Sequence, residues 1–153
     1  MNMPILRGVW SEEARPQSFE EIILPARLKR AFEKFVKDKD MPNLLLVSNM
    51  PGTGKTAISQ IITKELHTSC LFINGSDDNG IDTLRNEIKM FIDLPNVTGF
   101  YSDDAEMTNF KIIFIDEGDG LSNSFQKGLR GVMNDYDKNC RFIITCNYDS
   151  EIL

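Results

Sequence analysis

The segment Asn49-Met50-Pro51-Gly52-Thr53-Gly54-Lys55-Thr56 constrains this chain more than any other stretch. It follows a short apolar run, Leu44 to Ser48, that reads as a buried strand. It precedes a helical pattern, Lys55 to His67, with Ile58, Ile61, Ile62 and Leu66 on one side. Strand, glycine turn, helix is the context in which a G-K-[ST] match acquires a mechanism. Gly52 and Gly54 allow backbone conformations and a close approach that a Cβ would prevent. Their N–H groups and the start of the helix form a concave nest of donors for phosphate oxygens. Lys55 adds a flexible positive charge on the same oxygens. Thr56 offers a hydroxyl to Mg²⁺, which takes few protein ligands and keeps several waters. Asn49 stands where the full pattern has its first glycine, and Asn tolerates left-handed backbone better than other non-glycine residues. The expected ligand is ATP with Mg²⁺.

A second motif points the same way. Ile112 to Ile115 is the most apolar strand pattern in the chain and ends at Asp116-Glu117. In an open parallel sheet ligands collect outside the carboxyl ends of strands, which puts this pair beside the phosphate loop. Asp116 is expected to hold Mg²⁺, partly through water, and Glu117 to orient or deprotonate an attacking water. Taken alone, two acids after a strand simply begin a surface loop. Asn147 ends the next apolar strand, Phe142 to Thr145. A neutral amide there can hydrogen-bond a γ-phosphate or the water without adding charge; by itself it reads as a turn residue.

Short strands alternating with amphipathic helices over 153 residues predict one α/β domain with a mostly parallel sheet. Pro25 opens a helix striped by Leu28, Phe32, Phe35 and Val36, whose other face carries Lys29, Arg30, Lys34 and Lys37. Leu71 to Asn74 is a second short strand, followed by a polar turn, Gly75 to Gly80, and a helix striped by Ile81, Leu84, Ile88 and Phe91. Pro95 to Asn109 reads as a polar, mobile loop. Ser122 or Ser124 caps a helix with Phe125, Leu129, Val132, Met133 and Tyr136 on its core face.

Composition narrows the classes further. No run approaches 18 apolar residues, and the first ten lack the pattern of a signal peptide, so no membrane partner and a cytoplasmic location are expected. Cys70, Cys140 and Cys146 have no metal or redox spacing and read as buried reduced thiols. His67, the one histidine, reads as a helix-end residue. A net charge of −6 argues mildly against a free-standing nucleic-acid binder, without excluding a local basic face.

Four stretches, covering nearly the whole chain, resemble the AAA+ ATPase subunits of sliding-clamp loaders of the replication factor C type, in particular those of tailed phages. They are Trp10-Ser-Glu-Glu-Ala-Arg-Pro16, similar to a W-x-E-K-Y-R-P box; PGTGKT from Pro51 to Thr56; the turn Asn74-Gly-Ser-Asp-Asp-Asn-Gly-Ile-Asp82, similar to N-A-S-D-x-x-G-I-D; and IIFIDEGD with Gln126, Leu129, Arg130, Met133 and the strand IITCN. The box and the NGSDDNGID turn are the more specific to clamp loaders.

The resemblance implies a three-layer P-loop NTPase fold and roles for residues by position. Glu12, Arg15, Pro16 and Ile23 would serve the nucleotide on its base side. Pro51, Gly52, Thr53, Gly54, Lys55, Thr56 and Ala57 would hold its phosphates, Thr56 and Asp116 the metal. Lys55, Glu117 and Asn147 would act in catalysis, Asn147 as the sensor residue. Arg85 and Lys89 on one helix, and Lys127 and Arg130 on another, would track DNA phosphates; most such residues are otherwise a solvated face. The implied partners are other subunits of a ring, a sliding clamp and primer–template DNA.

Ala14, Asn49, Met50, Gly118, Gly131 and Asn134 depart from the family's pattern. The family also continues past Asn147 into a Ser-Arg-Cys motif, a helical lid and a collar. Residues 1–153 are therefore expected to be an AAA+ domain incomplete at its C-terminal end, without lid or collar, and alone only a weak ATPase. The alternatives are a non-hydrolysing structural subunit and another AAA+ machine, such as a Holliday-junction helicase or an initiator.

Overall fold

The computed structural model describes residues 14–76, 81–95 (backbone alone for 81–84), 108–148 and 152. Most of the Trp10–Pro16 box, part of the NGSDDNGID turn, and residues 96–107 of the expected polar loop lie outside these residues.

Helix α1 (Ala26–Asp38) precedes strand β1 (Leu44–Val47), and α2 (Lys55–Glu65) leads to β2 (Cys70–Asn74). Helix α3 (Ile81–Asp93) is followed by β3 (Lys111–Asp116), a single 3₁₀ turn (Gly118–Gly120), α4 (Asn123–Asp135) and β4 (Cys140–Cys146). The four strands form one parallel sheet in the order β1-β4-β3-β2. After β1 the chain crosses to the far edge and returns strand by strand. The carboxyl ends of β1 and β4 thus lie side by side, on the edge of a parallel sheet where ligands collect.

The apolar periodicities account for the layers. Every residue from Lys111 to Ile115 is buried, because β3 lies inside the sheet and is covered on both faces. Ile112 and Phe114 pack with Phe32 of α1, Ile58, Ile61 and Ile62 of α2, and Leu66 at the C-cap of α2. Ile113 and Ile115 point the other way, against Ile88 and Ile92 of α3 and Phe125, Leu129 and Val132 of α4. The expected three layers result.

Four local readings change. Pro25 is the N-cap of α1, one residue before the first helical position. Leu28, expected on the core stripe, is 45% exposed, since only Phe32 in that helix is fully buried. β1 is not fully buried: Leu44 and Leu46 pack toward α1 and α2, while Leu45 and Val47, on the opposite face, are 46% and 41% exposed because the described residues leave that face partly uncovered. β4 is longer than Phe142 to Thr145 and reaches Cys146. At α4 the cap is Ser122, whose Oγ accepts from Phe125 N–H at 3.3 Å. His67 follows α2 with a left-handed φ of 49°.

Lys111 joins two elements. From the start of β3 its ammonium donates to the carbonyls of Phe91 (2.6 Å), Ile92 (3.1 Å) and Leu94, and lies 5.0 Å from the Phe91 ring centre. A cation there satisfies the last carbonyls of α3 and opposes the negative end of its dipole. Burial lowers the Lys111 pKa from its ordinary value, partly offset by Asp93.

Candidate nucleotide site

The phosphate loop joins β1 to α2. Gly52 and Gly54 have φ of 74° and 89°, and Gly54 is the N-cap of α2 in left-handed backbone. A side chain at either would be strained. Helix α2 has no side-chain cap and no acid in its first turn, so nothing of that kind competes for its first N–H groups. The space beside Gly52 is open, with no atom within 4 Å of a Cβ built there. This donor-lined concavity fits phosphate oxygens.

Lys55 Nζ donates to Ser48 O at 3.1 Å and to Asn147 Oδ1 at 3.0 Å, tying the loop to the ends of β1 and β4. Thr56 Oγ1 lies 2.9 Å and 3.2 Å from the two carboxylate oxygens of Asp116 at the end of β3. A hydroxyl against a carboxylate is an oxygen donor set suited to Mg²⁺, which is bound by one or two protein oxygens plus phosphates and waters. Among the described residues there is no group of three or more His, Cys, Asp or Glu that could hold a metal ion.

Glu117 follows Asp116 in left-handed backbone, φ 53° and ψ 49°, unusual for a residue with a Cβ. Its Oε2 accepts from Ser76 Oγ. Gly75 makes this approach possible: its N–H donates to Asp116 O at 2.7 Å, and a Cβ there would collide with the Glu117 carbonyl. Behind the acids stands Thr145, buried in β4. Its Oγ1 donates to Asp116 Oδ1 and accepts from Glu117 N–H at 3.2 Å.

The family model for ATPases associated with various cellular activities (AAA) matches residues 45–153, from β1 to the end. The chain belongs to the AAA ATPase family. It is 38% identical to the replication factor C small subunit of Methanocella arvoryzae over 150 residues, 95% of this chain and 44% of that protein. The replication factor C small subunits of Archaeoglobus fulgidus and Saccharolobus solfataricus are 36% and 34% identical, over 95% and 100% of this chain. The chain spans less than half the length of these relatives.

Among solved structures, the Thermotoga maritima RuvB Holliday junction branch migration motor superposes with a TM-score of 0.62 at 20% identity, covering 92% of this chain and 44% of that one. A single-site mutant of that protein gives 0.67 at 18% identity, covering 92% and 45%. That likeness is one of fold.

Within this AAA domain the expected site residues fall into groups. Lys55 is hydrogen-bonded to Asn147 and Thr56 to Asp116, the two pairs meeting at adjacent residues of α2, with Glu117 next in sequence. Pro51 and Thr53 are exposed on the loop, while the Ala57 side chain is packed in the core, leaving its backbone as the part nearest the loop. On the base side, Arg15 donates to Gln60 Oε1 of α2 at 3.3 Å and Pro16 is half-buried. Ile22, not Ile23, packs beside the loop, 3.6 Å from a Cβ built on Gly54; Ile23 is 98% exposed. Glu12 lies outside the described residues.

Arg85 on α3 borders a crevice with Gly128 and Val132 of α4. Arg130 borders a cavity of about 290 Å³ with Gln126 and Met133, on the other flank of α4. Lys127 is exposed and Lys89 half-buried.

Thr145 carries no motif signal; its one mark in the sequence is a hydroxyl ending the apolar run from Phe142, two positions before Asn147.

Proposed function

We propose that the chain is the ATP-binding and hydrolysing part of a clamp-loader subunit. With other subunits it would form a ring that opens a sliding clamp and grips primer–template DNA. The observation that supports this most is the linkage of Lys55, Asn147, Thr56 and Asp116 at the carboxyl ends of three parallel strands. The replication factor C likeness along 95% of the chain supports the clamp-loader part.

In this reading the N–H groups of Gly52 to Thr56 and the Lys55 ammonium bind the β- and γ-phosphates. Thr56 and Asp116 would hold Mg²⁺, which supplies neutralising charge across the phosphate oxygens. Arg15 and Pro16 shape the base side, and the open apolar surface of Ile23 is available to the base. Glu117 takes a proton from water on a carboxylate oxygen. The water oxygen then bonds to the γ-phosphorus while the bond to the β–γ bridging oxygen breaks.

Arg85, Lys89, Lys127 and Arg130 would contact DNA phosphates, and the machinery would work in the cytoplasm. Among the described residues no helix is long and apolar enough to cross a membrane. A neighbouring subunit would supply a catalytic arginine, worth about 10³–10⁵ in turnover in related NTPases. The isolated chain should therefore hydrolyse ATP barely above background.

Assembly with partner subunits, clamp and primed DNA tests this function. Glu117→Gln should keep ATP binding and clamp binding but lose turnover. Failure of the wild-type chain to bind a sliding clamp in the presence of ATP would remove the clamp-loader reading. An assembly whose turnover is indifferent to Glu117→Gln would make this chain a structural subunit.

A further inference from the structure

Asp119 sits in the 3₁₀ turn just past the acidic pair and is half-buried. Its Oδ2 faces both the main-chain N–H of Asn147, at 3.4 Å, and the side-chain Nδ2, at 3.3 Å. Its Oδ1 is buried and has no partner among the described residues. The carboxylate is thus committed to the end of β4 and makes no contact with the Thr56–Asp116 pair.

Asn147 has two chemically different ends. Its Oδ1 faces Lys55 Nζ, which can only donate, and its Nδ2 faces a carboxylate, which can only accept. Rotating the amide by half a turn would set NH₂ against ammonium and oxygen against oxygen, breaking both bonds. Asp119 and Lys55 therefore select one of the two amide orientations. Once the Lys55 ammonium is drawn to phosphate oxygens, the hold on the amide passes to Asp119. Of the two Nδ2 hydrogens Asp119 takes one, which leaves the other as the donor for a phosphate oxygen or water.

We propose that Asp119 is a positioning residue of the ATPase site, fixing the amide of Asn147 so that its remaining N–H is presented to the terminal phosphate. This rests on the ATP reading of the site. Asp119 touches no reacting atom; it acts through Asn147.

The test uses the full chain and four variants: Asp119→Leu, Asp119→Asn, Asn147→Ala and the double Asp119→Leu/Asn147→Ala. Affinities for a slowly hydrolysed ATP analogue and for ADP are measured with Mg²⁺, and the Asn147 side-chain amide is followed by NMR without nucleotide. Asp119→Leu and Asn147→Ala should each reduce the preference for the ATP analogue over ADP about tenfold, the scale of one hydrogen bond to a charged group. The double variant should lose no more than Asn147→Ala. Asp119→Asn, which retains an acceptor oxygen, should recover most of the preference. The Asn147 amide protons should shift in Asp119→Leu and return toward their wild-type positions in Asp119→Asn.

A merely structural role would lower both affinities alike, and that result overturns the proposal. So does a double variant whose loss is the product of the two single losses. If the wild-type chain binds neither nucleotide, the ATP reading falls by itself. The amide protons then decide: unchanged in Asp119→Leu, they rule the contact out; shifted, they uphold the hold on Asn147. Should Asp119→Leu not fold, Asp119→Ala makes the same comparison.

Discussion

Thr56 and Asp116, sixty residues apart in sequence, meet through a hydrogen bond of 2.9 Å from Oγ1 to Oδ2. It joins the first turn of α2 to the end of β3, so the phosphate loop and the acidic strand end meet at one point. Replacing Thr56 by Val keeps the shape and removes the hydroxyl. The Mg²⁺-dependent part of ATP affinity should fall about tenfold, while affinity measured with excess chelator stays within about twofold. Thr56→Ser should behave like wild type. Titration calorimetry with and without Mg²⁺ reads both.

Thr145 supports the same acids from behind. Thr145→Val leaves the Glu117 N–H without its acceptor and takes from Asp116 one of its two hydroxyl donors, Thr56 being the other, in a partly buried setting. An unmet buried polar group costs about 1–3 kcal/mol, so urea unfolding should show a loss in that range. Thr145→Ser, which keeps the hydroxyl, should lose less than half as much.

Gly131 lies within α4 with no atom within 4 Å of a Cβ built on it. Ala there adds no clash and narrows the unfolded ensemble. Gly131→Ala should stabilise the chain by about 0.5–1 kcal/mol, an increase in Tm of about 1–4 °C. Lack of any gain in a thermal melt would show that this helix position is under another constraint.

Burial raises the Cys70 thiol from its ordinary 9.0 to about 11, with Thr63 and the Phe114 backbone opposing the shift. The folded state then keeps a proton that the unfolded state releases. The stability this lends is complete below pH 9 and is lost as pH rises through about 11. Wild type should therefore lose stability relative to Cys70→Ala between pH 9 and 11, and match its lower-pH offset below 9. Chemical denaturation at intervals across that range measures the difference.

Much of the fold was legible because its signals are local. The stripe Ile58, Ile61, Ile62 and Leu66 marks α2, and the run Ile112 to Ile115 marks a strand covered on both faces. Layer coverage is not local. Nothing within Leu44 to Ser48 says which face of β1 the helices cover, so the exposure of Leu45 and Val47 appears only once the layers are packed. At the site, Lys55 and Asp116 carried motif signals, whereas the contact between Lys55 and Asn147 spans 92 positions and appears only once β1 and β4 lie side by side. Thr145 and Asp119 act through atoms of other residues, and a hydroxyl in an apolar strand or an acid in a turn has commoner explanations. The left-handed Glu117 and the close approach at Gly75 are likewise one feature, divided between two strand ends that the sequence separates.

The proposed function requires this pocket to take the phosphates of ATP through Lys55. Titration calorimetry of the chain with Mg²⁺ and a slowly hydrolysed ATP analogue, wild type against Lys55→Ala, reads that requirement. Saturable binding by wild type, weakened at least about tenfold in the variant, is predicted from the loss of one charge-assisted contact. Equal affinity in the two proteins, or no binding by wild type, would contradict it.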